Sequence, residues 1–87
     1  MRYAARKDDT QEAIVQALRA IGVQVQVVSS DGAPDLSTKF RGRWLPIEVK
    51  SKGGKLTKSQ RAWHDETQFP IVETVAEALA LFGVTHG

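Results

Sequence analysis

The stretch DLSTKFRGRWLPIEVK, residues 35–50, decides how this chain folds. It reads as two strands, 35–40 and 44–50, on either side of Arg41-Gly42. Glycine at the second of two turn residues favours a tight two-residue hairpin. That turn sets the register: Leu36 faces Ile47, Thr38 faces Leu45, and Asp35 faces Glu48. A slip of one residue would set Leu36 against Glu48 and place a charge among apolar neighbours, so the hydrophobic pattern selects the first register. Pro46 cannot donate a ladder hydrogen bond. Its nitrogen must therefore face away from a paired strand or lie at a bulge.

The register has a chemical consequence. Strand side chains alternate, so Glu48 and Lys50 project to one face while Ile47 and Val49 project to the other. Asp35 and Glu48 then lie directly across from each other, with Cβ atoms about 4.5–5.5 Å apart. Like charges so placed are destabilising, and a divalent cation between them reverses the sign. Mg²⁺ takes one or two carboxylates and fills its other positions with water and phosphate oxygens. Lys50, beside them, suits a phosphate oxygen or the lowering of an attacking water's pKa. The same residues also read as a plain surface pair, Asp35–Lys50 or Glu48–Lys50, on a solvated sheet face. The strand pattern leaves both readings open.

Working outward, Asp8 or Asp9 reads as an N-cap, and Glu12 follows Asp9 at a capping-box spacing. Ile14, Val15, Leu18 and Ile21 recur at helical spacing and Gly22 closes the element, which predicts a helix over 9–21. VQVQVVS (23–29) alternates like a half-buried strand, and SDGAP is turn chemistry. After the hairpin, GGK is a flexible loop and Thr57 caps a second helix, KSQRAWHDET. PIVET (70–74) is a short strand and VAEALALFG a closing helix. The order αβββαβα, without repeats or linkers, predicts a single α/β domain over 1–87 built on a mixed sheet flanked by helices.

At 87 residues and 41% hydrophobic composition, the chain is an ordinary folded domain of small core. The absence of cysteine excludes disulfides, cysteine-ligated zinc and thiol nucleophiles. Nothing approaches about 18 consecutive apolar residues, so no membrane span is expected. MRYAARKDDTQ has no apolar core behind its bases, so it does not read as a secretory signal and the expected home is cytoplasmic. The net charge is only +2, but its distribution is uneven. Bases fall at Arg2, Arg6 and Lys7, at Arg19, at Lys39, Arg41 and Arg43, and five more lie from Lys50 to Arg61 with no acid among them. After Arg61 come four acids and no further Lys or Arg. A sided molecule of this kind presents a basic face to nucleic acid or another polyanion.

Taken in order, Gly32-Ala33-Pro34-Asp35, Ile47-Glu48-Val49-Lys50 and Leu56-Thr57-Lys58-Ser59-Gln60 resemble the PD-(D/E)XK nuclease superfamily. More closely they resemble its virus-type replication-repair nuclease group (VRR-NUC), small stand-alone proteins of phages and prophages in bacterial hosts. The resemblance spans nearly the whole chain, from about Arg6 to about Leu81. It implies an αβββαβ core and a metal-dependent, structure-specific DNA endonuclease. Asp35 and Glu48 would hold Mg²⁺ or Mn²⁺, the Val49 backbone carbonyl would be a further ligand, and Lys50 would position or activate water. The resemblance also brings Gln60, on the second helix, near the metal. On helix 1 it selects Gln11, with Glu12 beside it as the alternative metal carboxylate. It implies branched DNA, including four-way junctions or flaps, as partner, and a homodimer.

The basic loop and its flanks, Lys52, Lys55, Lys58 and Arg61, together with Arg6 and Lys7, suit tracking a DNA backbone. SKGGKLTKS lacks the G-x-x-x-x-G-K-[ST] spacing of a phosphate-binding loop. His64 lies four residues after Gln60 and shares its helix face, so it reads either as a reach toward the scissile phosphate or as a packed or solvated side chain. Trp63 reads as a core anchor, and Trp44 as an exposed aromatic for DNA or a dimer interface. His64-Asp65-Glu66 is not a metal cluster, because consecutive helical residues point around the helix.

Overall fold

In the computed structural model of the chain, the described residues are 7–29, 33–51 and 53–84. Arg6, Lys52 and the Ser30-Asp31-Gly32 part of the turn lie outside them, as does the side chain of Lys7. The hairpin forms as its pattern predicts. Strand β2 (Leu36–Phe40) pairs antiparallel with β3 (Arg43–Val49), with Leu36 opposite Ile47 and Thr38 opposite Leu45. Arg41 (φ 52°) and Gly42 (φ 79°) both take positive φ, as the mirror-image turns that match strand twist require. Arg43 already belongs to β3, which so starts one residue earlier than expected.

Strand β1 (Gln24–Val27) pairs antiparallel with β2, and β4 (Ile71–Val72) pairs parallel with β3, giving a mixed sheet in the order β1-β2-β3-β4. Backbone amides alternate between neighbours along β3. The Glu48 N–H donates to the Pro70 carbonyl at 3.0 Å and the Lys50 N–H to the Val72 carbonyl at 2.9 Å, both toward β4. Pro46 shares their parity, so its nitrogen faces that same side, upstream of where β4 begins. No ladder bond is lost, and the proline needs no bulge.

One face of the sheet carries the core. Helix α1 (Lys7–Ala20) brings Ile14, Val15 and Leu18 against Leu36, Ile47 and Val49, and α3 (Val75–Ala80) adds Ala78. Val23 and Val72 close the cluster. Thr38, 1% exposed among these apolar groups, donates its hydroxyl to the Leu45 carbonyl at 2.6 Å, which removes the desolvation cost of a buried polar atom. Among the described residues no helix is long and apolar enough to cross a membrane.

Helix α2 (Lys58–Thr67) lies over the other face and has no fully buried residue. It meets the sheet through aromatic rings: Trp63 stacks on Phe69 with centroids 5.3 Å apart, and Phe69 meets Trp44 edge-on at 6.3 Å. Trp63 is thus a partly exposed anchor in this cluster, and Trp44 remains 62% exposed. With so little burial, α2 depends on its first turn. Thr57 Oγ1 accepts the Gln60 N–H at 3.1 Å, and Gln60 Oε1 accepts the Thr57 N–H at 2.9 Å, a reciprocal capping box. Thr57→Ala is expected to cost about 1 kcal/mol, read as a lower urea midpoint with an unchanged slope.

Two local expectations fail. Helix α1 begins at Lys7, so Asp8 and Asp9 sit in its first turn, where their charge favours the positive end of the helix, and neither is the cap. Glu12 therefore closes no capping box. Its Oε2 instead accepts from Gln16 Nε2 at 2.7 Å, one turn further along. Strand β1 is also shorter than 23–29, and Val27 on the edge strand is 46% exposed.

Candidate active site

Asp35 precedes β2, and its backbone carbonyl accepts the Val28 N–H at 2.8 Å, which ties it to the end of β1. Its side chain turns the other way. The Val49 N–H points toward β2, whose last ladder residue is Leu36, and it donates to Asp35 Oδ2 at 2.9 Å. The carboxylate so replaces the strand carbonyl that would otherwise continue the ladder. In a strand, the N–H and C=O of one residue point to the same neighbour, so the Val49 carbonyl is directed to the Asp35 side as well.

Glu48 occupies the next step of the register, opposite Asp35. It projects from the α2 face and is only 7% exposed. A carboxylate that far from water is costly unless polar or cationic groups compensate it. The next register step thus sets Glu48 across from Asp35, with the Val49 carbonyl directed to the same neighbour. Among the described residues no group of three or more His, Asp or Glu side chains comes together. Glu12, exposed and bonded to Gln16, is not gathered with the pair, and half-buried Gln11 stands one position before it on α1.

Lys50 follows β3 and makes an ion pair that no local pattern announces. Its Nζ lies 2.8 Å from Glu73 Oε2, with the two side chains 27% and 33% exposed. The parallel register explains the pairing. Glu48 sits beside Ile71 and Val49 beside Val72, so the next step sets Lys50 beside Glu73. Glu73 is itself held where β4 turns into α3, its N–H donating to Glu77 Oε1 at 2.6 Å. The plain-surface reading had placed an Asp35–Lys50 or Glu48–Lys50 pair here, whereas the ion pair observed joins Lys50 to Glu73. PIVET does display the carboxylate, but only the crossover through α2 tells which strand it will neighbour.

An open groove of about 410 Å³ surrounds this lysine, lined by Lys55, Arg61, His64 and Glu73 among others. Lys55 and Arg61 are exposed along it, and Lys58 is exposed on the first turn of α2. His64 faces this groove, while Gln60 is drawn into the capping box, with its Oε1 committed to Thr57. The exposed bases Lys55 and Arg61 thus line the groove around Lys50, which directly follows the strand that carries Glu48.

Helices on both faces of a four-stranded mixed sheet make up the α/β fold that the motifs led one to expect. A solved structure described as a VRR_NUC domain shares it with a TM-score of 0.73 at 22% identity, covering 92% of this chain and 97% of that one. At that identity the likeness concerns the fold. No family model matches the sequence, and no curated protein matches it.

Proposed function

We propose that this protein is a metal-dependent DNA endonuclease of the VRR-NUC type, acting on branched DNA. The observation that carries the reading is the Asp35 carboxylate seated on the Val49 N–H beside buried Glu48. The donors fit a hard divalent cation: carboxylate oxygens of Asp35 and Glu48 and the Val49 carbonyl, with neither thiolate nor imidazole among them. Mg²⁺ or Mn²⁺ bound there would polarise the scissile phosphate and lower the pKa of an attacking water. Asp35 and Glu48 would hold the cation where β2 begins and β3 ends. Lys50, steered by Glu73, presents its ammonium at the mouth of the groove, where a phosphate oxygen or the attacking water would lie. Lys55, Lys58 and Arg61 bind the DNA backbone, a role that supplies affinity without sequence preference.

Helix α2 supports the anionic partner independently. Its first turn holds no acid, and Lys58 opens it at the end where the helix dipole is already positive. An approaching phosphate relieves that repulsion. Four-way junctions and a homodimer with two active sites complete the proposal, since a two-fold pair of sites suits paired cuts across a symmetric junction.

A second reading draws on the Lys50–Glu73 pair, which occupies the lysine: a DNA-binding module that keeps the fold without cleaving, or a flap- or nick-directed nuclease subunit. Incubating the protein with four-way junction, flap and linear duplex DNA in Mg²⁺, Mn²⁺ or EDTA separates them. Junction cleavage in metal and none in EDTA is expected. Binding without cleavage of any substrate would leave the non-catalytic module.

A further inference from the structure

The tip of the β2–β3 hairpin, at the opposite end of the strands from the carboxylates, carries a second basic feature. From Leu36 to Ile47 the sequence holds Lys39, Arg41 and Arg43 and no acid. Arg41 sits at the first turn position with φ 52°. Asparagine, aspartate or glycine is favoured there, and a long side chain in the left-handed region costs on the order of 1 kcal/mol. Stability alone would not select arginine at this position, and such outliers point to function.

The surroundings hold the guanidinium in place. It lies 5.0 Å from the centroid of the Phe40 ring, and Phe40 in turn meets Phe82 edge-on at 5.6 Å. Arg41 and Arg43 are both exposed, and they rim a hollow of about 290 Å³ whose floor includes Leu45, Leu81 and Phe82. Among the described residues no carboxylate pairs with either guanidinium. Two planar forks over an apolar floor match a sugar-phosphate backbone, whose phosphates alternate with apolar sugar faces.

We propose that Arg41 and Arg43 bind the phosphate backbone of a DNA arm, at a contact separate from the carboxylate site. The inference rests on the branched-DNA reading above. Five residue steps along β3 take Arg43 to Glu48, about 17 Å along the strand. Arg43 projects on the α3 side of the sheet and Glu48 on the α2 side, so a straight duplex lying over Glu48 does not cross Arg43. An arm that diverges from the cleaved one does.

The test is fluorescence anisotropy of a labelled four-way junction, titrated with the full chain in EDTA across a series of salt concentrations. Arg41→Asn/Arg43→Gln is expected to weaken binding about tenfold or more at low salt and to flatten the log–log salt slope by about 1.8, roughly 0.9 for each lost phosphate. Its melting temperature should hold or rise, because asparagine fits the turn. Arg41→Lys/Arg43→Lys keeps the charges and should keep most of the slope. An unchanged slope in the first variant overturns the proposal, as does an equal loss in the lysine variant, which would mark a packing role. Failure of the nuclease reading looks different: wild type would bind the junction with its full slope yet never cleave it in Mg²⁺ or Mn²⁺.

Discussion

Glu48→Gln and Asp35→Asn are each expected to lower metal-dependent DNA cleavage by at least roughly 10³-fold, about 4 kcal/mol of transition-state stabilisation, without unfolding the protein. Both substitutions preserve shape. In Asp35→Asn the side-chain amide oxygen would still accept the Val49 N–H, which Asp35 Oδ2 accepts at 2.9 Å. Glu48 is 7% exposed, and glutamine keeps its shape and hydrogen-bonding capacity in that place. Melting temperature in EDTA should therefore stay within several degrees of wild type, a change of about 1 kcal/mol or less. Metal should separate them. Mg²⁺ or Mn²⁺ stabilises wild type in proportion to its binding, and the variants lose that increment. Calorimetry with and without metal checks this apart from activity. A variant that cleaves at the wild-type rate, or a wild type whose melting ignores metal, would sink the site assignment.

Leu36→Ala is the largest stability change expected. Leu36 is fully buried opposite Ile47, in a cluster that α1, the sheet and α3 all share. Truncating such a leucine costs about 2–5 kcal/mol. A domain of this length commands only about 4–13 kcal/mol in total, at roughly 0.05–0.15 kcal/mol per residue. The variant should melt tens of degrees lower or be largely unfolded at 37 °C. Val27→Ala, on an edge-strand residue 46% exposed, is the matched control and should stay within about 0.5 kcal/mol. Urea titration of both variants decides it, and comparable losses would mean that the core does not lie where the sheet places it.

The hairpin and α2 were legible from local pattern because each is specified by neighbours in sequence. Leu36, Thr38, Leu45 and Ile47 alternate about a two-residue turn, and Arg41-Gly42 supplies the backbone that such a turn needs. Thr57 ahead of KSQRAWHDET marks the start of α2 to the residue. The same kind of signal misled at α1, where two acids in a row matched a cap as well as a first turn. Propensity cannot separate those positions when the residues beside them fit both.

The pairing of Leu36 with Ile47 could be read from the sequence alone, because a short antiparallel turn leaves one register that buries the right face. That of Lys50 with Glu73 could not. Their meeting depends on a parallel pairing made through the α2 crossover, and no residue within either segment encodes which strand will lie alongside. Nor does local pattern show that Gln60 is spent on a helix cap while His64 turns into the groove. The chain by itself determined the β2–β3 hairpin and its register, since those follow from side-chain alternation and turn sterics. Only the tertiary structure decided what holds the lysine and which side chains line the groove around it, because those contacts form between segments that lie far apart along the chain.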